Sequence, residues 1–140
     1  MAENKQITVT SPLLSYLKEI VAEFQKKGIR TSIFVDPVLE MIEGAKETGT
    51  NRIELYTEEF AYQYGLGNES AIIPYVKAAE LANELGLGVN AGHDLCLQNI
   101  EFFKNNIPDL LEVSIGHALI SESLYLGVEN VIRMYQQKMK

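Results

Sequence analysis

The spacing of apolar positions changes period several times along this chain, and each change marks an element. Leu13, Leu14, Leu17, Ile20, Val21 and Phe24 recur at intervals of three and four, the signature of one buried helix face. Ser11-Pro12 supplies a cap and a first-turn proline, Lys26-Lys27 suit the helix end, and Gly28 stops it. TSIFV at 31–35 is β-branched and aromatic, and predicts a strand. Asp36-Pro37 reads as the cap and first turn of a second helix, with Met41, Ile42 and Ala45 inward and Gly49 as its stop. RIELY at 52–56 is a second strand. A short helix at 57–64, a GLGN loop at 65–68 and a long helix at 71–85 follow. A third strand covers 88–91, a helix covers 98–105, and a fourth strand covers 112–115. The remainder, 118–139, is helical with a break at Gly127. Residues 1–10 form a polar arm with only a faint alternation of Ile7 and Val9.

The order is one helix followed by four strand–helix units. Short apolar strands separated by helices call for a parallel sheet with right-handed crossovers. No linker or low-complexity stretch divides the chain, so 1–140 is expected to be a single domain. Four such units fit either a small open sheet or half of an eight-stranded (β/α)8 barrel. Glu54 and Asn90 decide between them. Each sits inside its strand among apolar neighbours that point the other way. Inward polar groups suit a barrel mouth better than a sheet packed between helices. The expected fold is therefore α/β, of the TIM-barrel class, as a half-barrel with two open edges.

Composition narrows the partners. The chain has 140 residues, 46% hydrophobic and 22% charged, with a formal charge of −7. An acidic chain lacks the basic face that a nucleic-acid backbone needs. No apolar run reaches membrane-spanning length, and the first ten residues lack a signal-peptide core, so a cytoplasmic protein is expected. The single cysteine, Cys96, allows no internal disulfide and reads as a small buried apolar residue.

The candidate chemistry gathers at strand ends. The third and fourth strands both run into Gly-His, at Gly92-His93 and Gly116-His117. Imidazoles there can move protons near neutral pH, and α/β proteins place their sites at this edge. The His93 ring could instead satisfy a loop carbonyl, and Gly116-His117 could be a helix cap chosen for packing. Gly116-His117 also opens the last helix, a plausible cradle for a phosphate. Glu54, on the inward face, should carry a raised pKa or a cationic partner. Glu54, His93 and His117 show no metal-ligand spacing, so no metal site is expected.

The segments SIFVDP, RIELYT, GLGVNAGHDL and EVSIGHALI, in this order, resemble the C-terminal half of the pyridoxine 5′-phosphate synthase family. The likeness runs over about 14–138, and NAGH and IGHA are its most specific parts. It implies a cytoplasmic transferase of vitamin B6 biosynthesis, an oligomeric (β/α)8 barrel that needs no metal or organic cofactor. The implied reaction condenses 1-deoxy-D-xylulose 5-phosphate with 3-amino-2-oxopropyl phosphate, giving pyridoxine 5′-phosphate, phosphate and water. By the motif match His93 stands at the proton donor and Glu54 at a charge-stabilising carboxylate. Gly116 and His117 stand where the aminoketone phosphate is gripped. Asp94 occupies a substrate-contacting position that is usually glycine. A carboxylate would repel phosphate, so its side chain should turn away and leave only the backbone N–H. The family's first four units, with its proton acceptors, have no counterpart here. The expectation is a fragment inactive alone, completed by a complementary half-barrel or a second copy. The competing expectation is a non-catalytic phosphate-binding half-barrel that dimerises.

Overall fold

The computed structural model describes residues 12–140. The polar arm and the Ser11 cap lie outside the described residues. The element order is α1 (Pro12–Lys26), β1 (Ser32–Val35), α2 (Leu39–Glu47), β2 (Arg52–Tyr56), α3 (Glu58–Gly65), a 3-10 turn (Glu69–Ile72), α4 (Ile73–Glu84), β3 (Gly88–His93), α5 (Ile100–Asn106), β4 (Leu110–Ile115), α6 (His117–Leu126) and α7 (Val128–Lys138). All strand pairs are parallel and lie in sequence order, β1-β2-β3-β4, so β1 and β4 are both open edges. This is the four-unit half-barrel that the sequence predicts.

Strand alternation splits the sheet into two chemically different faces. Val35, Ile53, Leu55, Val89 and Ala91 face the helices and are fully or almost fully buried, packed with Ile42, Phe60, Ala78, Ala79 and Phe103. The opposite face carries Phe34, Glu54, Asn90 and Glu112 in register across all four strands. It is polar and ordered by charge. Arg52 Nη1 donates to Asn90 Oδ1 at 3.0 Å and lies 3.0 Å from Glu112 Oε1. Arg30, just ahead of β1, grips the Glu112 carboxylate through both guanidinium nitrogens, at 3.1 and 2.9 Å. That fork joins the two outermost strands across the hollow. The guanidinium of Arg30 holds the Glu112 carboxyl below its ordinary value of 4.5.

Several boundaries differ from those the sequence predicts. Asp36 is not a helix cap: α2 begins two residues after Pro37 with Val38 as cap residue, and the Asp36 carbonyl accepts the Val38 N–H at 2.8 Å. The proline closes a turn instead of starting the helix. β3 continues to His93, which pairs with Ile115, and β4 starts at Leu110, with a bulge between Val89 and Asn90 that leaves Leu111 as an extra residue. The final helix does break at Gly127, whose φ of 82° is open to glycine alone at low cost. Cys96 is half-buried and not part of the core.

Helix α6 is the anomaly of the outer layer. It is apolar yet contains no buried residue; Ile120, Leu124 and Tyr125 are exposed. It packs against α7, and its Ile120 and Leu124 line the mouth of the sheet's hollow. Leu13, Tyr16 and Phe24 of α1 are also exposed. No helix among the described residues is long and apolar enough to cross a membrane.

Candidate active site

At the C-terminal ends of the strands lies an open cleft of about 800 Å³. Glu54, His93, Gly116 and His117 all line it, together with Phe34 and Ser114. Four residues singled out in the sequence, drawn from three strand–helix units, thus share one cavity.

Each arrives by a different local device. Glu54 stands mid-strand on the hollow face. It forms no ion pair among the described residues, so the expected cationic partner is absent there; its carboxylate instead lies over Gly92. A Cβ on Gly92 would come within 2.7 Å of Glu54 Oε1 and 2.7 Å of the Ser114 carbonyl oxygen. Glycine is therefore what lets the carboxylate lie flat against β3. Gly116 opens α6 with no neighbour pressing on it, and His117 is the first helical residue. The first turn of α6 thus opens at the cleft, and a helix N-terminus carries backbone N–H groups without partners inside the helix and the positive end of the dipole.

His93 reaches the cleft through a backbone reversal. Alternation along β3 would send it to the helix side with Val89 and Ala91. Its φ is 91°, a region that residues other than glycine rarely adopt. The reversal swings the ring to the mouth, edge-on to Tyr56 at 5.5 Å and to His117 at 6.1 Å between centroids. Phe34 continues the row by packing on Tyr56 at 5.2 Å. Tyr56 also donates to Glu58, and that hydrogen bond pushes the phenol up to about 12.

Asp94 is directed at His93. Its Oδ2 lies 2.8 Å from His93 Nδ1, and its N–H donates to Thr57 Oγ1 at 3.3 Å. Asp94 does not line the cavity, its side chain is on His93, and the N–H expected to meet substrate is given to Thr57. Thr57 is a residue the sequence reading passed over. It is fully buried and donates to the Gly92 carbonyl at 2.8 Å, so one hydroxyl bridges the peptides on both sides of His93. The only sequence signal was its position, three residues beyond Glu54 and directly after the same strand. The loop after Asp94 is braced in turn: Asn99 donates to the Asp94 carbonyl at 3.3 Å and accepts the Cys96 N–H at 2.8 Å. Glu122 of α6 accepts the Leu97 N–H at 3.1 Å and the Tyr135 hydroxyl at 2.6 Å. No cluster of three or more potential metal ligands occurs among the described residues.

Comparison with known proteins follows this geometry. Residues 9–140 match the family model described as pyridoxal phosphate biosynthesis protein PdxJ. A protein named pyridoxine 5′-phosphate synthase from Flavobacterium johnsoniae is 78% identical over 125 residues, which cover 89% of this chain and 53% of that protein. One of the same name from Christiangramia forsetii is 64% identical over the same shares of each. A third, from Bacteroides fragilis, is 54% identical over 121 residues, 86% of this chain and 51% of the relative. The chain spans about half the length of the curated relatives it matches. With the match extending over nearly every residue, this chain belongs to the PdxJ family of pyridoxal phosphate biosynthesis proteins.

Proposed function

We propose that this chain supplies half of a pyridoxine 5′-phosphate synthase site. The site condenses 1-deoxy-D-xylulose 5-phosphate with 3-amino-2-oxopropyl phosphate in the cytoplasm. The observation that supports this reading best is the convergence of Glu54, His93, Gly116 and His117 on one cleft at the strand ends. Ring closure needs an acid to help water leave, a base to take a proton next to an imine, and anchors for two phosphates. His93 is the acid: an imidazolium proton passes to a leaving hydroxyl and gives water and neutral imidazole. Glu54 stabilises positive charge developing on the imine nitrogen. Gly116 and His117 hold one phosphate at the start of α6 through backbone N–H groups and the ring.

With Glu54, His93 and His117 given these roles, no carboxylate or imidazole lining the cleft among the described residues is left over as the base, and removing a base typically costs about 10²–10⁴-fold in rate. A complementary half-barrel is the proposed source. The open edges of β1 and β4 and the uncovered apolar side of α6 suit such a partner. The test is reconstitution: the chain is mixed with the other half of the Flavobacterium johnsoniae relative and pyridoxine 5′-phosphate formation is followed. The expected result is no turnover by the chain alone, turnover by the mixture, and a loss of about 10²–10⁴-fold with His93→Ala. A mixture that works equally well with His93→Ala refutes the assigned roles. The same open edges also favour a second reading, a self-paired dimer that binds phosphate without chemistry. Sedimentation that shows a dimer, with phosphate perturbing His117 and no turnover in the mixture, selects it.

A further inference from the structure

We propose that Asp94 is a positioning residue that fixes His93 as its Nδ1–H tautomer, with Thr57 holding the pair in register. Three observations converge on it. Asp94 Oδ2 stands 2.8 Å from His93 Nδ1, and an ionised carboxylate can only accept, so Nδ1 must carry the hydrogen. The backbone between the two groups is set at a φ of 91° for His93, a costly state that persists only when surrounding contacts demand it. The contact that demands it is the fully buried Thr57 hydroxyl, which takes the Asp94 N–H and gives its own hydrogen to the Gly92 carbonyl. A shift in either peptide would leave a buried polar group unpaired.

The consequence is a division of labour on the ring. Nδ1 is engaged by Asp94, and Nε2 is the nitrogen free to meet the cleft that His93 lines. For the use of that nitrogen the inference rests on the proposed function. His93 gives up the Nε2 proton of its imidazolium to the leaving oxygen, and the neutral ring that remains is the tautomer Asp94 already holds. No second rearrangement of the ring is needed. A carboxylate that orients a histidine through Nδ1 while Nε2 does chemistry is a recurrent arrangement in acid–base sites.

The tautomer is read directly, without substrate or turnover. The chain has two histidines, so a long-range ¹H–¹⁵N spectrum of the labelled protein contains two rings, and His117→Gln leaves one. The spectrum is recorded at a pH above which further alkali changes neither ring, so that each is neutral and shows one protonated and one bare nitrogen. The expected wild-type spectrum has His93 protonated at Nδ1. Asp94→Ala should return the ring to the Nε2–H form that unconstrained histidine favours. Asp94→Asn, whose amide oxygen still accepts, should keep Nδ1–H. Thr57→Val should blur the preference and Thr57→Ser restore it; if Thr57→Val does not fold, Thr57→Ala takes its place. A wild-type ring protonated mainly at Nε2, or an Asp94→Ala spectrum identical to wild type, overturns the assignment. An unchanged spectrum in the Thr57 variants removes Thr57 from it. Because no substrate is present, either failure leaves the reconstitution and phosphate results standing, and failure of those leaves this one standing.

Discussion

Replacing Gly92 with alanine tests the packing that places Glu54 in the cleft. The added methyl would meet Glu54 Oε1 at 2.7 Å, the Ser114 carbonyl oxygen at 2.7 Å and Ser114 Cβ at 2.8 Å. The glutamate can swing aside. The Ser114 carbonyl cannot, because it belongs to the backbone of β4. Overpacking of this kind costs about 1–3 kcal/mol, and a backbone obstacle argues for the upper end. Alanine recovers about 0.5–1 kcal/mol over glycine inside a strand, leaving a net loss of about 2 kcal/mol. For a chain of this length 1 kcal/mol moves the melting temperature by about 4 °C, so the expected fall is about 8 °C. The assay is thermal unfolding followed by far-UV circular dichroism. Gly65→Ala is the control: it ends α3 with no atom within 4 Å of its would-be Cβ, and it should hold or raise the melting temperature. A Gly92→Ala protein melting within about 2 °C of wild type would refute the close approach of β3, β4 and the Glu54 carboxylate.

Other perturbations probe different parts of the fold. His93→Gly and His93→Ala lose the same ring contacts, but only glycine accepts φ 91° without strain, so the glycine variant should be the more stable by about 1 kcal/mol in a denaturant titration; an alanine variant at least as stable would contradict the strain. Glu112 has a lowered folded pKa, so its contribution is complete above the unfolded value of 4.5 and disappears as pH falls through the lower folded value. The melting-temperature gap between wild type and Glu112→Gln should therefore be open at neutral pH and close on acidification below 4.5; a gap independent of pH would contradict the Arg30 pairing. Phe103→Ala should cost about 3–5 kcal/mol by chemical denaturation, since Phe103 is fully buried with its ring 4.9 Å from that of Phe60 and 5.7 Å from that of Tyr75.

The strands and the convergence of the cleft were legible because they follow from period and order alone. Ile53, Glu54 and Leu55 alternate, and alternation puts Glu54 opposite the core whatever lies around it. Parallel strands in sequence order carry every strand end to the same rim, so Gly92-His93 and Gly116-His117 had to become neighbours there. What stayed hidden depends on single dihedrals and on contacts between distant residues. Pattern sends His93 to the wrong face, and only its φ corrects that. Asp36-Pro37 carries the letters of a helix start, yet the chain spends them on a turn and begins α2 later. The Arg30–Glu112 fork links residues 82 apart, a separation at which local spacing holds no information. Thr57 looked like an ordinary helix start because its importance lies in the two peptides it bridges on β3.

The Arg30–Glu112 fork acts as a strut. By tying the first strand to the last it opposes flattening of the sheet, whose twist alone would allow several curvatures. The chain is thus preset as a trough of fixed width, and whatever docks along its two rims meets a rigid template instead of a floppy ribbon. Cutting the strut at Arg30 would free that curvature, and with it the span of the cleft from Phe34 on the first strand to Ser114 on the last.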